Sequence, residues 1–239
     1  MKVAVIIPAF EPNWSLAAVV EGLRGEGLSR VIVVDDGSSA SARPVFEHLS
    51  AMLDCTLLGH ERNKGKGAAL KTAFGHVLST MPEVEAVITV DADGQHAPED
   101  CRRLVEALSA HGGRGYGFGV RSFSLESTPL RSWWGNRWSA FEFALLFGRW
   151  VPDTQTGLRA FARDLLPFFL AVPGEGYEYE MAALCMAARA GFDFHMVKIQ
   201  TIYETGNASS HFSPLKDTLR IHRAMFSARV AYLPKKGLV

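Results

Sequence analysis

The stretch Ala86-Val87-Ile88-Thr89-Val90-Asp91-Ala92-Asp93-Gly94-Gln95-His96 runs from apolar and β-branched residues straight into acids and a turn. An apolar run without alternation suits a strand buried on both faces, as in a parallel sheet. Two earlier stretches have the same form. Val3 to Ile7 leads into Pro8-Ala9-Phe10-Glu11-Pro12, and Val31 to Val34 leads into Asp35-Asp36-Gly37-Ser38. Helical spacing fills the intervals: Leu16, Val19, Val20 and Leu23, then Val45, Leu49 and Met52. Thr56 to Leu58 is a short third strand, Gly67 to Leu78 a helix, and Pro98 opens a helix with Leu104, Val105 and Leu108 on its apolar face. Strands alternating with helices predict parallel βαβ units and an α/β fold.

The second half is less regular. Residues 121–131 read as a loop, Ser132 to Phe147 as an aromatic-rich helix and Gly157 to Phe161 as a short strand. Leu165 to Leu170 and Tyr177 to Ala190 read as helices, Phe192 to Tyr203 as a strand, 205–213 as a polar loop and Pro214 to Leu233 as the last helix. The glycine string Gly115, Gly117 and Gly119 lacks the G-x-G-x-x-G spacing of a dinucleotide site and reads as close packing around a strand. No repeat, low-complexity tract or Pro/Ser-rich linker is present, so residues 1–213 are expected to form one catalytic domain, followed by a basic amphipathic helix and tail over 214–239.

The 239 residues, 48% of them hydrophobic, suffice for one sizeable core. Twenty-five basic and 25 acidic residues give zero net charge, which argues against nucleic acid as a partner. Cys55, Cys101 and Cys185 lie too far apart for a disulfide framework or a zinc knuckle. With no signal peptide and no apolar run of the ~18 residues that a span needs, a cytoplasmic chain, at most peripheral to the inner face of a membrane, is expected.

In open α/β sheets, ligands bind beyond the carboxyl ends of the strands. Here those ends bring Glu11, Asp35, Asp36, Asp91 and Asp93 toward one edge, where they would repel one another unless a cation or bound donors offset them. Asp91 and Asp93 can point at one hard cation, and oxygen ligands favour Mg2+ or Mn2+ over zinc. An ordinary Asp/Gly turn is the plain alternative. Asp35 and Asp36 precede Gly37, which can take positive φ in a tight turn; they can accept from a base or ribose, or simply form a turn that Ser38 or Ser39 caps. Asn63-Lys64-Gly65-Lys66-Gly67 precedes a helix and suits a diphosphate, since glycines admit close approach and a helix N-terminus favours anions. A solvated basic loop is the competing reading.

Taken in order, Pro8-Ala9-Phe10-Glu11, Asp35-Asp36-Gly37-Ser38, Asn63-Lys64-Gly65-Lys66-Gly67 and Asp91-Ala92-Asp93-Gly94-Gln95-His96 resemble glycosyltransferase family 2. Asp153-Thr154-Gln155-Thr156-Gly157-Leu158-Arg159-Ala160-Phe161 is similar to the D-x-x-S/T-G-F/L-R-A-F segment of its dolichyl- and polyprenyl-phosphate sugar transferase branch. The resemblance covers residue 3 to about residue 213. It implies a GT-A fold: a single Rossmann-like nucleotide-binding domain with a central, mostly parallel mixed sheet flanked by helices. It implies that Pro8, Phe10, Glu11, Asp35, Asp36 and Lys66 hold the nucleotide of a nucleotide-diphosphate sugar, with Asp91 at the same place. Asp91, Asp93 and Gln95 would hold the metal, and Arg121 and Arg131 would meet an acceptor phosphate, a role for which Arg137 competes. Guanidinium groups pair bidentately with phosphate, though plain surface charge is the alternative for Arg131. The branch's R-x-x-G-x-S-K stretch is altered here: Tyr203 to His211 carries no arginine, and His211 replaces the lysine.

The implied reaction is inverting transfer of a hexose from GDP-mannose or a UDP-sugar, with Asp91 and Asp93 central to catalysis and a polyprenyl phosphate as acceptor. Such an acceptor is already anionic and requires no base. A saccharide hydroxyl, as in cell-envelope polysaccharide synthesis, would need one, and Glu178 or Glu180 would be candidates unless both are solvent-facing helix charge. The last helix combines Leu215, Leu219, Met225, Phe226, Val230 and Leu233 with Lys216, Arg220, Arg223, Arg229, Lys235 and Lys236; it suits either a membrane surface or packing on the domain. A sugar nucleotidyltransferase would carry a glycine-rich loop with Thr-Arg after the first strand, where Pro8-Ala9-Phe10 stands instead. A non-catalytic nucleotide-binding protein would tolerate loss of Asp93 or Gln95.

Overall fold

The structure, a computed structural model, describes residues 1–121, 130–200, 202 and 214–231. The first half follows the alternation read from the sequence: β1 (Val3–Ala9), α1 (Ser15–Gly25), β2 (Val31–Asp35), α2 (Arg43–Ser50), β3 (Cys55–Gly59), α3 (Lys66–Thr80), β4 (Ala86–Thr89) and α4 (Pro98–Ala110). It continues through β5 (Tyr116–Arg121), α5 (Leu130–Phe147), β6 (Arg159–Ala162), α6 (Leu166–Leu170), α7 (Glu178–Arg189), β7 (Phe194–Ile199) and α8 (Pro214–Val230). The seven strands form one sheet in the order β3-β2-β1-β4-β6-β5-β7. All neighbours are parallel except β6, which runs antiparallel to both β4 and β5. This is a GT-A arrangement, a mostly parallel mixed sheet with helices on both faces.

The faces follow from residue parity. Val5, Ile7, Val31 and Val33 meet Leu16, Val20 and Leu23 of α1, Leu49 of α2 and Leu104 and Leu108 of α4. Ala4, Ile6, Ile32 and Val34 point the other way, toward Leu70, Phe74 and Val77 of α3, Phe168 and Phe169 of α6 and most of α7. α8 joins this second layer through Ile221, Met225 and Ala228. Glycines in and just before β5 admit close neighbours: a Cβ on Gly119 would lie 2.8 Å from Ile199 Cδ1, and one on Gly115 would lie 2.6 Å from His195 Nε2. That is the strand packing the glycine string suggested.

Register places the chemistry. Ala9 pairs with Asp35, and Ile6 with Thr89. Continued past β4, this brings Asp91 level with Pro8. Antiparallel β6 pairs Arg159 with Thr89, so the same continuation sets Gly157 opposite Asp91.

Candidate active site

The five acids expected at the sheet edge are there, and protein donors meet most of their charge. Asp35 Oδ1 accepts from the Ser38 amide at 2.8 Å. Glu11, held at φ 49°, accepts from the Ser39 amide at 2.7 Å and its hydroxyl at 2.9 Å. Asp36 is buried and accepts from the amides of Lys64 (2.9 Å) and Gly65 (2.7 Å), while His60 Nδ1 lies 2.6 Å away. Asp36 thus shapes the Asn63–Gly67 loop from beneath. Gly37 has φ 75°, and a Cβ there would lie 2.2 Å from the Arg62 carbonyl carbon, so only glycine fits the turn.

The loop ends with Lys66 opening α3. Its Nζ lies 2.6 Å from Asp91 Oδ1 and 2.8 Å from Glu180 Oε2. Burial works against the Lys66 charge, but the two carboxylates outweigh it and push its pKa up. Burial likewise opposes ionisation of Asp91, yet Lys66 and the His96 hydrogen bond hold it well below the usual carboxylate range. His96 Nε2 is 3.1 Å from Asp91 Oδ2. A Cβ on Gly157 would sit 2.3 Å from that same oxygen, so this glycine is the space Asp91 occupies. Both oxygens of Asp91 are therefore engaged by side chains. The loop amides expected to face a diphosphate are partly engaged too: those of Lys64 and Gly65 go to Asp36, and that of Ala68 to the Glu175 carbonyl.

Asp93 differs. Its Oδ1 accepts the Gln95 amide at 3.0 Å in a tight turn. Burial, then the negative charge of Asp91, raises its pKa. A carboxyl destabilised in this way gains from a nearby cation, and its neighbours Asp91 and Gln95 offer further hard oxygens, so these residues fit Mg2+ or Mn2+. Among the described residues no three His, Cys, Asp or Glu side chains are already gathered as a metal cluster.

The Asp153–Phe161 segment braces the site. Asp153, fully buried, takes the Arg121 guanidinium bidentately, with Nε 2.7 Å from Oδ2 and Nη2 3.2 Å from Oδ1. Thr154 Oγ1 is 2.9 Å from Ser139 Oγ of α5, and Thr89 Oγ1 donates to the Gly157 carbonyl at 2.8 Å. Arg159 is buried and donates to Tyr116 Oη and the Glu180 carbonyl, both at 2.6 Å. Arg121, expected at an acceptor phosphate, has its fork turned to Asp153. Arg131 lies on the first turn of α5 with its side chain outside the described residues, as is the Tyr203–His211 stretch.

Reading Glu180 as solvent-facing helix charge is corrected: it is buried, paired with Lys66, and its Oε1 has no hydrogen-bond partner. Glu178 Oε1 accepts the amides of Glu175 (3.1 Å) and Gly176 (3.0 Å). Burial opposes ionisation of Glu178, but these amides outweigh it and lower its pKa. Sequence spacing gave no sign of the Lys66–Glu180 pair, because only the packing of α7 on α3 brings the two together. The position of His96 at the end of the acidic stretch was the available signal for its contact with Asp91.

The match to the family described as Glycosyl transferase family 2 spans residues 4–167. The chain belongs to that family. Among its relatives in glycosyl transferase family 2, a UDP-N-acetylglucosamine–dolichyl-phosphate N-acetylglucosaminyltransferase of Methanococcus voltae is 29% identical over 216 residues, covering 83% of this chain and 85% of the other. A polyprenol monophosphomannose synthase of Mycolicibacterium smegmatis is 29% identical over 212 residues, covering 83% and 76%. In these two relatives the chain resembles the polyprenyl-phosphate branch of the family. The fold is shared with glucosyl-3-phosphoglycerate synthase of Mycobacterium tuberculosis, solved with Mn2+, UDP and phosphoglyceric acid. Its TM-score is 0.70 at 20% identity, covering 99% of this chain and 80% of that one. The family 2 chain is accordingly a glycosyltransferase.

Proposed function

We propose that this glycosyltransferase moves a hexose, with inversion, from a nucleoside diphosphate sugar to a polyprenyl phosphate, with a divalent ion at Asp91, Asp93 and Gln95. The observation that carries the acceptor class is the state of the two nearby glutamates. Glu180 is held by Lys66, and Glu178 is held ionised by backbone amides. Neither is poised to take a proton from a hydroxyl, whereas a phosphate acceptor arrives as an anion and needs no base. The two polyprenyl-linked relatives point the same way.

In this reading Pro8, Phe10, Glu11 and Asp35 line the nucleotide side at the ends of β1 and β2, with Asp36 holding the loop beneath. When bound, the divalent ion supplies Lewis-acid stabilisation of the leaving diphosphate. An ammonium has three donors. Lys66 commits two to Asp91 and Glu180, which leaves one for a diphosphate oxygen. His96 and Gly157 fix where Asp91 stands, so its charge needs no reorganisation as the leaving group departs. Arg121, kept in place by Asp153, and Arg131 are the proposed contacts of the acceptor phosphate.

Incubation with labelled GDP-mannose, UDP-glucose and UDP-N-acetylglucosamine in turn, with polyprenyl phosphate and Mn2+, tests this. Label in the organic phase with one donor is the expected outcome. Label confined to water-soluble products refutes the lipid acceptor and favours a saccharide or small phosphorylated acid.

A further inference from the structure

Exposed apolar side chains gather on α5. Trp134 (66% exposed), Trp138 (62%), Phe141 (54%) and Leu145 (74%) recur at intervals of four, three and four residues, a single stripe along one helix face. The opposite face is built into the molecule: Asn136, Ser139, Ala140 and Phe143 are buried. α5 is thus apolar toward solvent as well as toward the core, a pattern that a helix facing only water does not need. The last helix, whose sequence suits either a membrane surface or packing on the domain, buries Ile221, Met225 and Ala228 and presents Phe226 and Val230 outward.

We infer that the outer face of α5 docks on an anionic lipid bilayer, lying in the head-group plane and carrying the active site with it. This deepens the lipid-acceptor reading above. Charge supports it. The sequence of α5 and α8 holds six Lys or Arg against two Asp or Glu, in a chain whose net charge is zero. One of those acids, Glu142, is met by His222 of α8. Tryptophans beside arginines are the composition of an interfacial helix. Size decides against a second protein chain. The twelve residues from Trp134 to Leu145 span about 16 Å, at 1.5 Å for each step between them, and one helix is about 10 Å wide, a strip of a few hundred Å2 at most. A stable protein interface buries roughly 800 Å2 per partner.

The inner face connects the membrane to the chemistry. Asn136 Nδ2 donates to the Pro152 carbonyl at 2.7 Å, and Ser139 meets Thr154 at 2.9 Å. Asp153, between these contacts, holds Arg121. A bilayer-bound α5 therefore sets the Arg121–Asp153 pair about one helix diameter from the lipid head groups, within reach of a lipid phosphate.

The test is co-sedimentation of the full chain with vesicles of phosphatidylcholine, with and without phosphatidylglycerol, and no substrate present. The expected result is binding to the anionic vesicles that high salt weakens and that Trp134→Ser/Trp138→Ser lowers at least ~10-fold, as loss of two interfacial aromatics should. Leu53→Ser, at a residue 80% exposed near β3 at the far edge of the sheet, should bind as wild type. Unchanged thermal unfolding of the double variant excludes a folding defect. Wild-type protein that ignores anionic vesicles, a double variant that still binds, or equal loss in Leu53→Ser overturns the inference. So does a dimer in light scattering that the double variant dissolves, since a second copy would then be the occupant. Because no sugar is transferred, these results are separate from the acceptor assay: vesicle binding without transfer spares the docking surface, and transfer to detergent-dispersed acceptor without vesicle binding spares the reaction.

Discussion

Lys66 stands between two carboxylates, and removing its charge leaves both without their counter-ion. Breaking a buried pair by losing one partner costs ~3–5 kcal/mol, and the partial exposure of this site (17% for Lys66, 25% for Asp91) places Lys66→Met at about 2 kcal/mol in denaturant unfolding. Loss of its field at the leaving diphosphate should also lower kcat by about 10²-fold. Glu180→Gln keeps the shape and removes one of the two anions. It should leave the fold intact and slow transfer about tenfold, a barrier change of ~1.4 kcal/mol, whereas a solvent-facing glutamate would give no change. The alternation of strands and acids was enough to find Asp91 and Lys66. Their mutual distance depends on packing between segments 25 residues apart, and the approach of Glu180 from α7 on packing across more than a hundred residues, and no local spacing encodes either.

At the scale of elements, the turn into β6 and the loop before α3 decide the site's geometry. Gly157→Ala would press a methyl into Asp91, which Lys66 and His96 hold on the other sides. Activity should fall about 10²-fold, with a stability loss of ~1–3 kcal/mol measured by urea unfolding, the usual cost of overpacking. A variant with wild-type activity would show that Asp91 moves freely. The βαβ elements were legible because buried parallel strands are unbroken apolar runs bounded by turns. The reversed direction of β6 was not, since Arg159–Ala162 is four residues long and its pairing is set by its neighbours. The motif around Gly157 marked the segment as important, while its action, bracing Arg121 through Asp153 and making room for Asp91, emerges only from the antiparallel register.

For the whole molecule, the ion pairs set a pH window of stability. The Asp91 pKa is depressed in the fold, so its contribution is present above the unfolded value of about 3.9 and is lost as pH falls through the folded one. Glu178 acts in the same direction. The Lys66 pKa is raised, so its contribution is complete below about 10.4 and is lost as pH rises beyond that. The acid limb of the unfolding free energy should be shallower in Asp91→Asn than in wild type. An acid limb identical in wild type and variant would remove Asp91 from this account. No helix among the described residues is long and apolar enough to cross a membrane.

In the proposed function Asp91, Asp93 and Gln95 would hold a divalent ion when a nucleoside diphosphate is bound, and Mn2+ electron paramagnetic resonance reads this directly. Titrating Mn2+ into wild-type protein with UDP or GDP should remove free-ion signal at a stoichiometry of one, with affinity that rises when nucleotide is present. Asp93→Asn should weaken that uptake by at least ~10-fold, the usual effect of losing a metal ligand or its support. Equal uptake by wild type and Asp93→Asn, or uptake indifferent to every nucleoside diphosphate, would contradict it.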